Sequence, residues 1–363
     1  MRISELAEGS RPNVLLNGVE GFLQGLKILF AIGLAVLIFV GGVFVLHFSD
    51  ETISGEETAY KPNPVEPIYQ LELGEENQFL VLRTRQHLLF RDIESGELLE
   101  SLPALPHIVA TSRWIPNSRK LIFGFGDGQV AILSQDESWE MQYTPHIHRD
   151  DIRSIAVSSD GRLAVSGSSD RLCLWDLDQR RLLAETDKLK CSPDSMQFSP
   201  DQSRIVAGTD NGKIMVIQTE DLKVQRTINL GPAGISEAAF FENGEKVLAG
   251  NLHGGMFALD ANTGETLWKD ESCRLHMITL TISPDQSFAA FTDWTDNIHL
   301  LSLKTFERID SFVGHQKAVS SVQFSRDGKK VFSASYDGTV RIWDVNSFGE
   351  LDCYRGTLPG KDE

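Results

Sequence analysis

Apolar and polar residues follow two different patterns along this chain. From Ile28 to Leu46 the sequence runs for nineteen residues without a charge. A helix of that length rises by about 1.5 Å per residue and matches a hydrocarbon core of roughly 30 Å, so this segment predicts a membrane-spanning helix. From residue 66 onward, short segments alternate apolar and polar positions between turn sequences such as DG and NG. This second pattern predicts β-strands.

The strand-rich region repeats every 42 residues or so. Each repeat has an apolar or aromatic residue directly before a turn, at Leu73, Trp114, Val157, Phe198, Phe240, Ile282 and Phe324. The last repeat divides into four strand-like segments, AVSSVQF, KVFSAS, TVRIWDV and ELDCYR. Four strands in about 40–45 residues are typical of one propeller blade. We therefore predict an all-β fold, a seven-bladed β-propeller of four-stranded antiparallel blades over residues 66–357, preceded by one transmembrane α-helix.

The apolar segment divides the first 65 residues into three parts. We expect an N-terminal segment with an amphipathic lead-in at 1–27, a transmembrane signal anchor in contact with the lipid bilayer at 28–46, and a polar tether at 49–65. Since no small-x-small cleavage pattern follows the anchor, it is expected to be retained. Arg2, Arg11 and Lys27 precede it and only Lys61 follows closely. This asymmetry favours a single-pass protein with a cytoplasmic N-terminus and an extracytoplasmic propeller, and leaves a cytoplasmic propeller open.

Charge and cysteine content bear on the partners. The net charge is −17, and residues 1–50 hold three basic and four acidic residues, leaving −16 on residues 51–363. An acidic surface repels phosphate, so we expect no nucleic-acid partner and a protein partner that is basic, unless the charge serves only solubility. The cysteines are too scattered for a disulfide framework or a zinc site and are expected to be isolated thiols, with a bridge still open in an oxidising compartment: Cys173, Cys191, Cys273 and Cys353.

The seventh repeat reads GHQKAVSSVQFSRDGKKVFSASYDGTVRIWDV and resembles the repeat of the WD-repeat family. This resemblance covers residues 66–357. It implies a structural hydrogen-bonded tetrad in blade seven formed by His315, Ser333, Asp337 and Trp343. Blade three offers the matching set His148, Ser166, Asp170 and Trp175. The other five blades lack this histidine and tryptophan, so we expect them to depend on apolar packing.

Three features could indicate catalysis or metal binding. Histidine, serine and aspartate also form catalytic triads, but here they lie within a repeated structural motif. His146 and His148 would share one face of a strand, although nothing at ligand spacing completes a metal site. In blade five, the segment from Gly254 to Lys269 resembles the repeat of quinoprotein dehydrogenases, but this motif occurs only once in the chain. We therefore predict no enzyme activity, cofactor or metal. The alternative is a membrane-bound quinoprotein-like enzyme or small-ligand sensor, which carboxylates or histidines converging in the central channel would favour.

The resemblance also suggests where a partner protein docks. In the WD-repeat family, the face with the d–a and b–c loops commonly receives partners, often at the residue before the aspartate of the b–c turn. The matching residues are Trp294 and Tyr336, which would form one patch because their blades are adjacent. Phe125 and His253 lie near other b–c turns and would extend it, and the loop from Leu102 to His107 is another apolar candidate. The sequence thus predicts a membrane-anchored scaffold that recruits or organises partner proteins.

Overall fold

The computed structural model describes residues 35–40, 43–48, 66–74, 78–85, 87–103, 105, 107–135, 138–187, 189–272 and 277–355. The chain divides into two units, Met1–Pro62 and Asn63–Glu363. In the first unit, the described residues form an antiparallel β-hairpin of β1 (Ala35–Val40) and β2 (Val43–Phe48), with Val40 opposite Val43.

The hairpin corrects the prediction of a transmembrane helix at residues 28–46. Uniformly apolar segments have no periodicity that separates a helix from a strand. This segment is also rich in valine and isoleucine, which favour strands, and it contains the pair Gly41-Gly42, which favours two-residue hairpin turns. The rest of the predicted anchor, the N-terminal segment 1–27 and the whole tether at 49–65 lie outside the described residues.

The predicted localisation depended on that helix and is wrong as well. Within the described ranges, no helix is both long enough and apolar enough to cross a membrane. The single-pass topology, with a cytoplasmic N-terminus and an extracytoplasmic propeller, therefore has no spanning helix among the described residues. The bilayer contact predicted for residues 28–46 rests on the same helix.

The second unit confirms the predicted propeller. Seven sheets each contain four consecutive antiparallel strands, named a to d in chain order. Strands a of neighbouring blades lie against one another all the way around the ring and surround the central channel. The d–a and b–c loops lie at one end of the blades, called here the upper face, and the a–b and c–d loops lie at the lower face.

The strand bounds repeat closely from blade to blade. Blade one contains β3 (Gln70–Leu73), β4 (Phe79–Arg83), β5 (His87–Asp92) and β6 (Leu98–Pro103). Blade two contains β7 (Val109–Ile115), β8 (Lys120–Phe125), β9 (Val130–Gln135) and β10 (Trp139–Tyr143). Blade three contains β11 (Ile152–Val157), β12 (Leu163–Ser168), β13 (Leu172–Asp176) and β14 (Arg181–Glu185). Blade four contains β15 (Pro193–Phe198), β16 (Arg204–Thr209), β17 (Lys213–Gln218) and β18 (Val224–Asn229).

The remaining three blades follow the same order. Blade five contains β19 (Ile235–Phe241), β20 (Lys246–Asn251), β21 (Met256–Asp260) and β22 (Thr266–Asp270), with a 3₁₀ turn at Glu242–Gly244. Blade six contains β23 (Met277–Ile282), β24 (Phe288–Asp293), β25 (Asn297–Ser302) and β26 (Arg308–Val313). Blade seven contains β27 (Val319–Phe324), β28 (Lys330–Ser335), β29 (Thr339–Asp344) and β30 (Glu350–Arg355).

Packing between the faces of neighbouring blades forms the core. Strands b and c are nearly continuous runs of buried residues, as expected for strands covered on both faces. Each apolar cluster joins two blades, and in one of them Val165 of blade three packs with Ile205 and Ile217 of blade four. Burial of this apolar surface stabilises the ring by roughly 25 cal/mol per Å².

The outer strands are protected by a bulge. In six blades the c–d pairing shifts register at the same place, which leaves one extra residue on strand d: Leu99, Leu183, Gln225, Leu267, Ile309 and Leu351. All six side chains are exposed. Because a bulge twists an edge strand and interrupts its hydrogen-bonding groups, the repeated bulge discourages pairing with another sheet.

The ring closes where blade seven meets blade one. Each blade keeps its own four strands, so side-chain packing and cross-blade hydrogen bonds make the closure. Leu71 and Leu80 pack against Phe332 in one apolar cluster. The Gln323 amide accepts a hydrogen bond from the Leu73 N–H at 3.1 Å and donates one to the Leu71 carbonyl at 3.1 Å. On the outer side, the Tyr354 hydroxyl donates to the Ile93 carbonyl at 2.7 Å.

Candidate functional site

The tetrad residues of blade seven form one continuous hydrogen-bonded chain. The Trp343 indole N–H donates to Ser333 Oγ at 2.8 Å, and the Ser333 hydroxyl lies 2.8 Å from His315 Nε2. His315 Nδ1 lies 3.0 Å from Asp337 Oδ2. Since an indole nitrogen only donates and a carboxylate only accepts, Ser333 accepts from Trp343, and His315 Nδ1–H donates to Asp337.

Blade three brings together its matching four residues in the same way. Trp175 Nε1 and His148 Nε2 lie 2.8 and 2.7 Å from Ser166 Oγ, and His148 Nδ1 lies 3.2 Å from Asp170. Burial lowers the pKa of His148, in keeping with a neutral ring. The histidine and serine side chains of both tetrads are buried, whereas His146 is exposed. The tetrads are therefore closed to a substrate, and the described residues contain no group of three or more potential metal ligands.

Blade six contains a polar network that the sequence analysis missed. His299 Nε2 lies 3.2 Å from Asp293 Oδ2, and His299 Nδ1 lies 2.9 Å from Ser311 Oγ. Burial alone would raise the pKa of Asp293, but hydrogen bonds from His299 and Thr295 outweigh it and lower the pKa to about 2. The expectation that blade six depends on apolar packing alone is therefore incomplete. The sequence feature that could have revealed this network is Asp293, which stands two residues before the position of the b–c turn aspartate in blades three and seven.

The predicted partner-binding residues have different environments. Trp294 is 66% exposed and Tyr336 is 38% exposed, both in b–c turns of the upper face. His253 is exposed in the corresponding turn of blade five. Phe125, in contrast, is the last residue of strand b in blade two and is fully buried against Phe123. The prediction that Phe125 extends the patch is wrong, because strand b reaches one residue further and turns this ring into the core.

Tyr336 contacts blade one, which the sequence analysis did not predict. Its ring packs edge-on against Tyr69, with 5.8 Å between the centroids, and the Arg83 guanidinium lies over Tyr69 at 5.7 Å. Beside them a cavity of about 480 Å³ extends from Tyr69 and Arg83 to His107, Ile108 and Val109. Ile108, in the d–a loop before blade two, is 84% exposed. We call Trp294, Tyr336, Tyr69, Arg83 and Ile108 the upper-face cluster.

Among the loops, large exposed apolar side chains are concentrated on the upper face. Trp294, Tyr336, Leu252 and Ile108 lie in its loops, and Tyr69 precedes strand a there. The lower-face loops have no such residue in the part of the chain that the structure describes. The others lie on the outer strands, mainly at the bulges. Exposed apolar patches mark interaction sites on soluble proteins, so the upper face is the candidate interface.

The central channel is lined by polar side chains from strands a. Gln197 accepts a hydrogen bond from the Phe240 N–H of the next blade at 2.8 Å, as Gln323 does from Leu73 at the ring closure. Glu72 occupies the corresponding position in blade one and accepts from the Trp114 N–H of blade two at 3.4 Å. These three side chains therefore join neighbouring blades.

Two channel carboxyls have altered proton affinity. Burial raises the pKa of Glu72, and burial raises the pKa of Glu237 to about 7, although the positive charge of Arg113 opposes both shifts. Arg113 Nη1 lies 3.4 Å from Glu72 Oε1. Two carboxyls therefore face the channel, one of them joining two blades and both near a guanidinium. The rest of the described lining mixes small, polar and apolar residues such as Ala110, Thr279 and Ser320 and contains no histidine, so the alternative of an enzyme or small-ligand sensor gains no support here.

The quinoprotein-like segment of blade five forms a capped hairpin. Asp260 Oδ1 accepts hydrogen bonds from the N–H groups of Asn262 and Thr263 at 2.9 and 2.7 Å. Asp92 and Asp344 cap the c–d turns of blades one and seven in the same way. The motif therefore forms a turn that recurs around the ring.

Three cysteines are free, at Cys173, Cys191 and Cys353, and Cys273 lies outside the described residues.

We predict that Asp337→Ala lowers the free energy of unfolding by roughly 1–3 kcal/mol, because it removes the acceptor for His315 and for the Gln316 N–H. Burial alone would raise the pKa of Asp337, but these bonds and that of Thr339 hold it well below its usual range. The stabilisation is thus present above the ordinary carboxyl pKa and declines as pH falls further. Urea unfolding at several pH values measures both effects. A loss no larger than that of the exposed control Asp178→Ala would contradict the tetrad's structural role.

We predict that Glu237→Gln flattens the pH dependence of stability. A pKa raised to about 7 means that the folded state binds the proton more tightly than the unfolded state, so stability falls as pH rises from about 4.5 to 7. The amide removes this loss and stabilises the protein by on the order of 1 kcal/mol at neutral and higher pH. Thermal midpoints between pH 4 and 8 measure the effect, with the exposed Glu265→Gln as control. An equal slope in Glu237→Gln and wild type would refute the assignment.

Comparison with known protein families identifies two repeats. The family model described as "WD domain, G-beta repeat" matches residues 139–176 and 306–344. Each segment ends one residue beyond its tetrad tryptophan, Trp175 or Trp343, and covers strand d of the preceding blade together with strands a to c of blade three or seven.

Several curated proteins are similar to this chain. Apoptotic protease-activating factor 1 of Mus musculus is 29% identical over 54% of this chain and 16% of its own length. The periodic tryptophan protein 2 homolog of Caenorhabditis elegans is 22% identical over 77% of this chain and 30% of its own length. The human U3 small nucleolar RNA-associated protein 18 homolog is 35% identical over 42% of this chain and 28% of its own length. The chain thus matches less than a third of each relative. Together with the fold, these matches show that the chain is a seven-bladed β-propeller with WD40 repeats.

Proposed function

We propose that this protein is an interaction scaffold that holds a partner protein on the upper face of its propeller. The observation that carries the proposal is the uneven distribution of exposed apolar side chains, which lie in the upper-face loops and not in the described lower-face loops. Trp294, Tyr336 and Tyr69 are aromatic, and aromatic residues dominate the binding energy of many protein interfaces. A rigid ring of blades supports them, so little entropy is lost when a partner binds.

The relatives support a scaffold rather than one shared activity. Their names describe a protease-activating factor and an RNA-associated protein, which are different functions. What they have in common with this chain is an aligned stretch that makes up 16% of the first protein and 28% of the second. A propeller that presents loops to different partners accounts for this diversity, because loops change readily while the blades keep their packing.

We predict that the double variant Trp294→Ala/Tyr336→Ala loses most of its partner binding and stays folded. Both side chains are exposed enough for truncation to leave the core intact. The full chain, tagged and chemically cross-linked in its native cells, would be purified as wild type and variant, and the bound proteins compared quantitatively. We expect at least one specific partner to fall about tenfold or more, since hot-spot truncations cost ~2 kcal/mol or more.

The matched control is Leu267→Ala/Ile309→Ala, which removes exposed apolar groups from two outer-strand bulges. This control should keep the partner. If the control loses the partner and the upper-face variant keeps it, the interface lies on the outer strands and the proposal fails. If wild type enriches no protein over an unrelated propeller, the scaffold function itself is wrong.

A further inference from the structure

In most blades the side chain of the last residue of strand b caps the b–c turn. At this position Asn251, Asp293 and Ser335 accept hydrogen bonds from backbone N–H groups of their own b–c turns, and Thr209 accepts one from the first residue after its turn. These side chains are short and polar, and they are buried. Blade one departs from the pattern, because its strand b ends at Arg83.

In blade one the residue after Arg83 caps the b–c turn. Thr84 Oγ1 accepts from the His87 N–H at 3.0 Å, so the b–c turn of blade one is held one residue later. The long side chain at position 83 is therefore not needed by the turn. It reaches the cavity of the upper face instead, where it lies over Tyr69 and close to the exposed Ile108.

The Arg83 guanidinium is poorly satisfied where it lies. Nη1 donates to the Val109 carbonyl at 3.4 Å, and Nε is buried without a hydrogen-bond partner among the described residues. Burial removes part of the hydration of the Arg83 charge and so lowers its pKa. The carboxyl that acts on it electrostatically is Glu72. Glu72 already accepts hydrogen bonds from Gln70, Arg113 and Trp114, and burial favours its neutral form.

Two arginines, Arg83 and Arg85, give this cavity positive charge, although the protein is acidic. Its described lining contains no carboxylate, but its two histidines already face carboxylates: His87 Nδ1 lies 3.8 Å from Glu66 Oε2, and His107 Nδ1 lies 3.0 Å from Asp127 Oδ2. Its volume of about 480 Å³ lies within the usual range for ligand pockets, roughly 300–1,000 Å³. A desolvated guanidinium with an unused N–H is an acceptor-seeking group, and a carboxylate can accept two parallel N–H bonds from it.

We propose that Arg83 is the anchor for a carboxylate side chain of the partner, so that the upper face recognises an acidic peptide segment. This inference rests on the proposed function and specifies the partner's chemistry at the same site. The carboxylate enters the cavity and pairs with Arg83, while an adjacent apolar residue of the peptide packs between Tyr69, Tyr336 and Ile108. The expectation of a basic partner, drawn from net charge, is thereby reversed at this face.

The test begins with a random-peptide phage library selected on the immobilised full chain. Selected peptides would be synthesised together with versions in which each Asp or Glu is replaced by Asn or Gln, and their affinities measured by fluorescence anisotropy. We expect enrichment of acidic peptides, and a loss of affinity of about tenfold or more when the critical carboxylate becomes an amide. Arg83→Gln should cause a similar loss, and Arg83→Lys an intermediate one, because lysine keeps the charge but not the planar fork.

Two controls separate the inference from the proposed function. Arg181→Gln removes the same charge from an exposed outer strand and should leave affinity unchanged, and thermal unfolding verifies that each Arg83 variant folds. Peptides that need Trp294 or Tyr336 but bind Arg83→Gln equally well would overturn the inference and leave the proposed function standing. Peptides rich in Lys or Arg would overturn it in the same way. A selection that yields no peptide dependent on the upper face would overturn both.

Discussion

The rest of this structure depends on the contact between blade seven and blade one. A single four-stranded blade leaves two apolar faces exposed, so the first and the last blade each keep one uncovered face until the ring is complete. The chain closes the ring without exchanging a strand: Leu71 and Leu80 meet Phe332, and Gln323 and Tyr354 bond backbone groups of blade one. The same contact brings Tyr336 against Tyr69. Closure therefore covers the last two sheet faces and also assembles the centre of the upper-face cluster.

Hydrogen bonds between buried polar groups hold the strands in place within each blade and between neighbouring blades. The tetrads of blades three and seven satisfy a histidine, a serine, an aspartate and an indole in a single chain of hydrogen bonds, and blade six uses Asp293 and His299 to similar effect. In the channel, Gln197, Gln323 and Glu72 each bond the strand of the next blade. Arg83 Nε is one of several buried side-chain atoms without a hydrogen-bond partner among the described residues, and of these residues only Arg83 lines the upper-face cavity. An unsatisfied group of this kind is costly, which is the reason for assigning it to a partner's carboxylate.

The fold was predictable because its information is repeated along the sequence. Strand alternation, turn residues and a period near 42 all agree, and the histidine and tryptophan of blades three and seven indicated where the tetrads lie. The helix at residues 28–46 was mispredicted because a uniformly apolar segment does not distinguish helix from strand. The cavity could not be predicted, since it forms where blade one meets the d–a loop before blade two, and its shape depends on how these neighbouring segments pack. One sign was nonetheless present in the repeat: Arg83 stands where Thr209, Asn251, Asp293 and Ser335 have short polar side chains.

Hydrogen exchange of the backbone amides at the junction of blades seven and one tests the closed ring most directly. The Leu73 N–H is bonded to Gln323, and the Ile68 N–H donates to the Ser335 carbonyl at 3.2 Å. If these contacts close the ring, we expect both amides to exchange as slowly as the amides in the cores of blades three to five. Gln323→Ala should then accelerate exchange in blades one and seven before it does so in the other blades. Rapid exchange at Ile68 and Leu73 in the wild-type protein, with blades three to five still protected, would contradict the account, because it would describe an open ring with no assembled upper-face cluster.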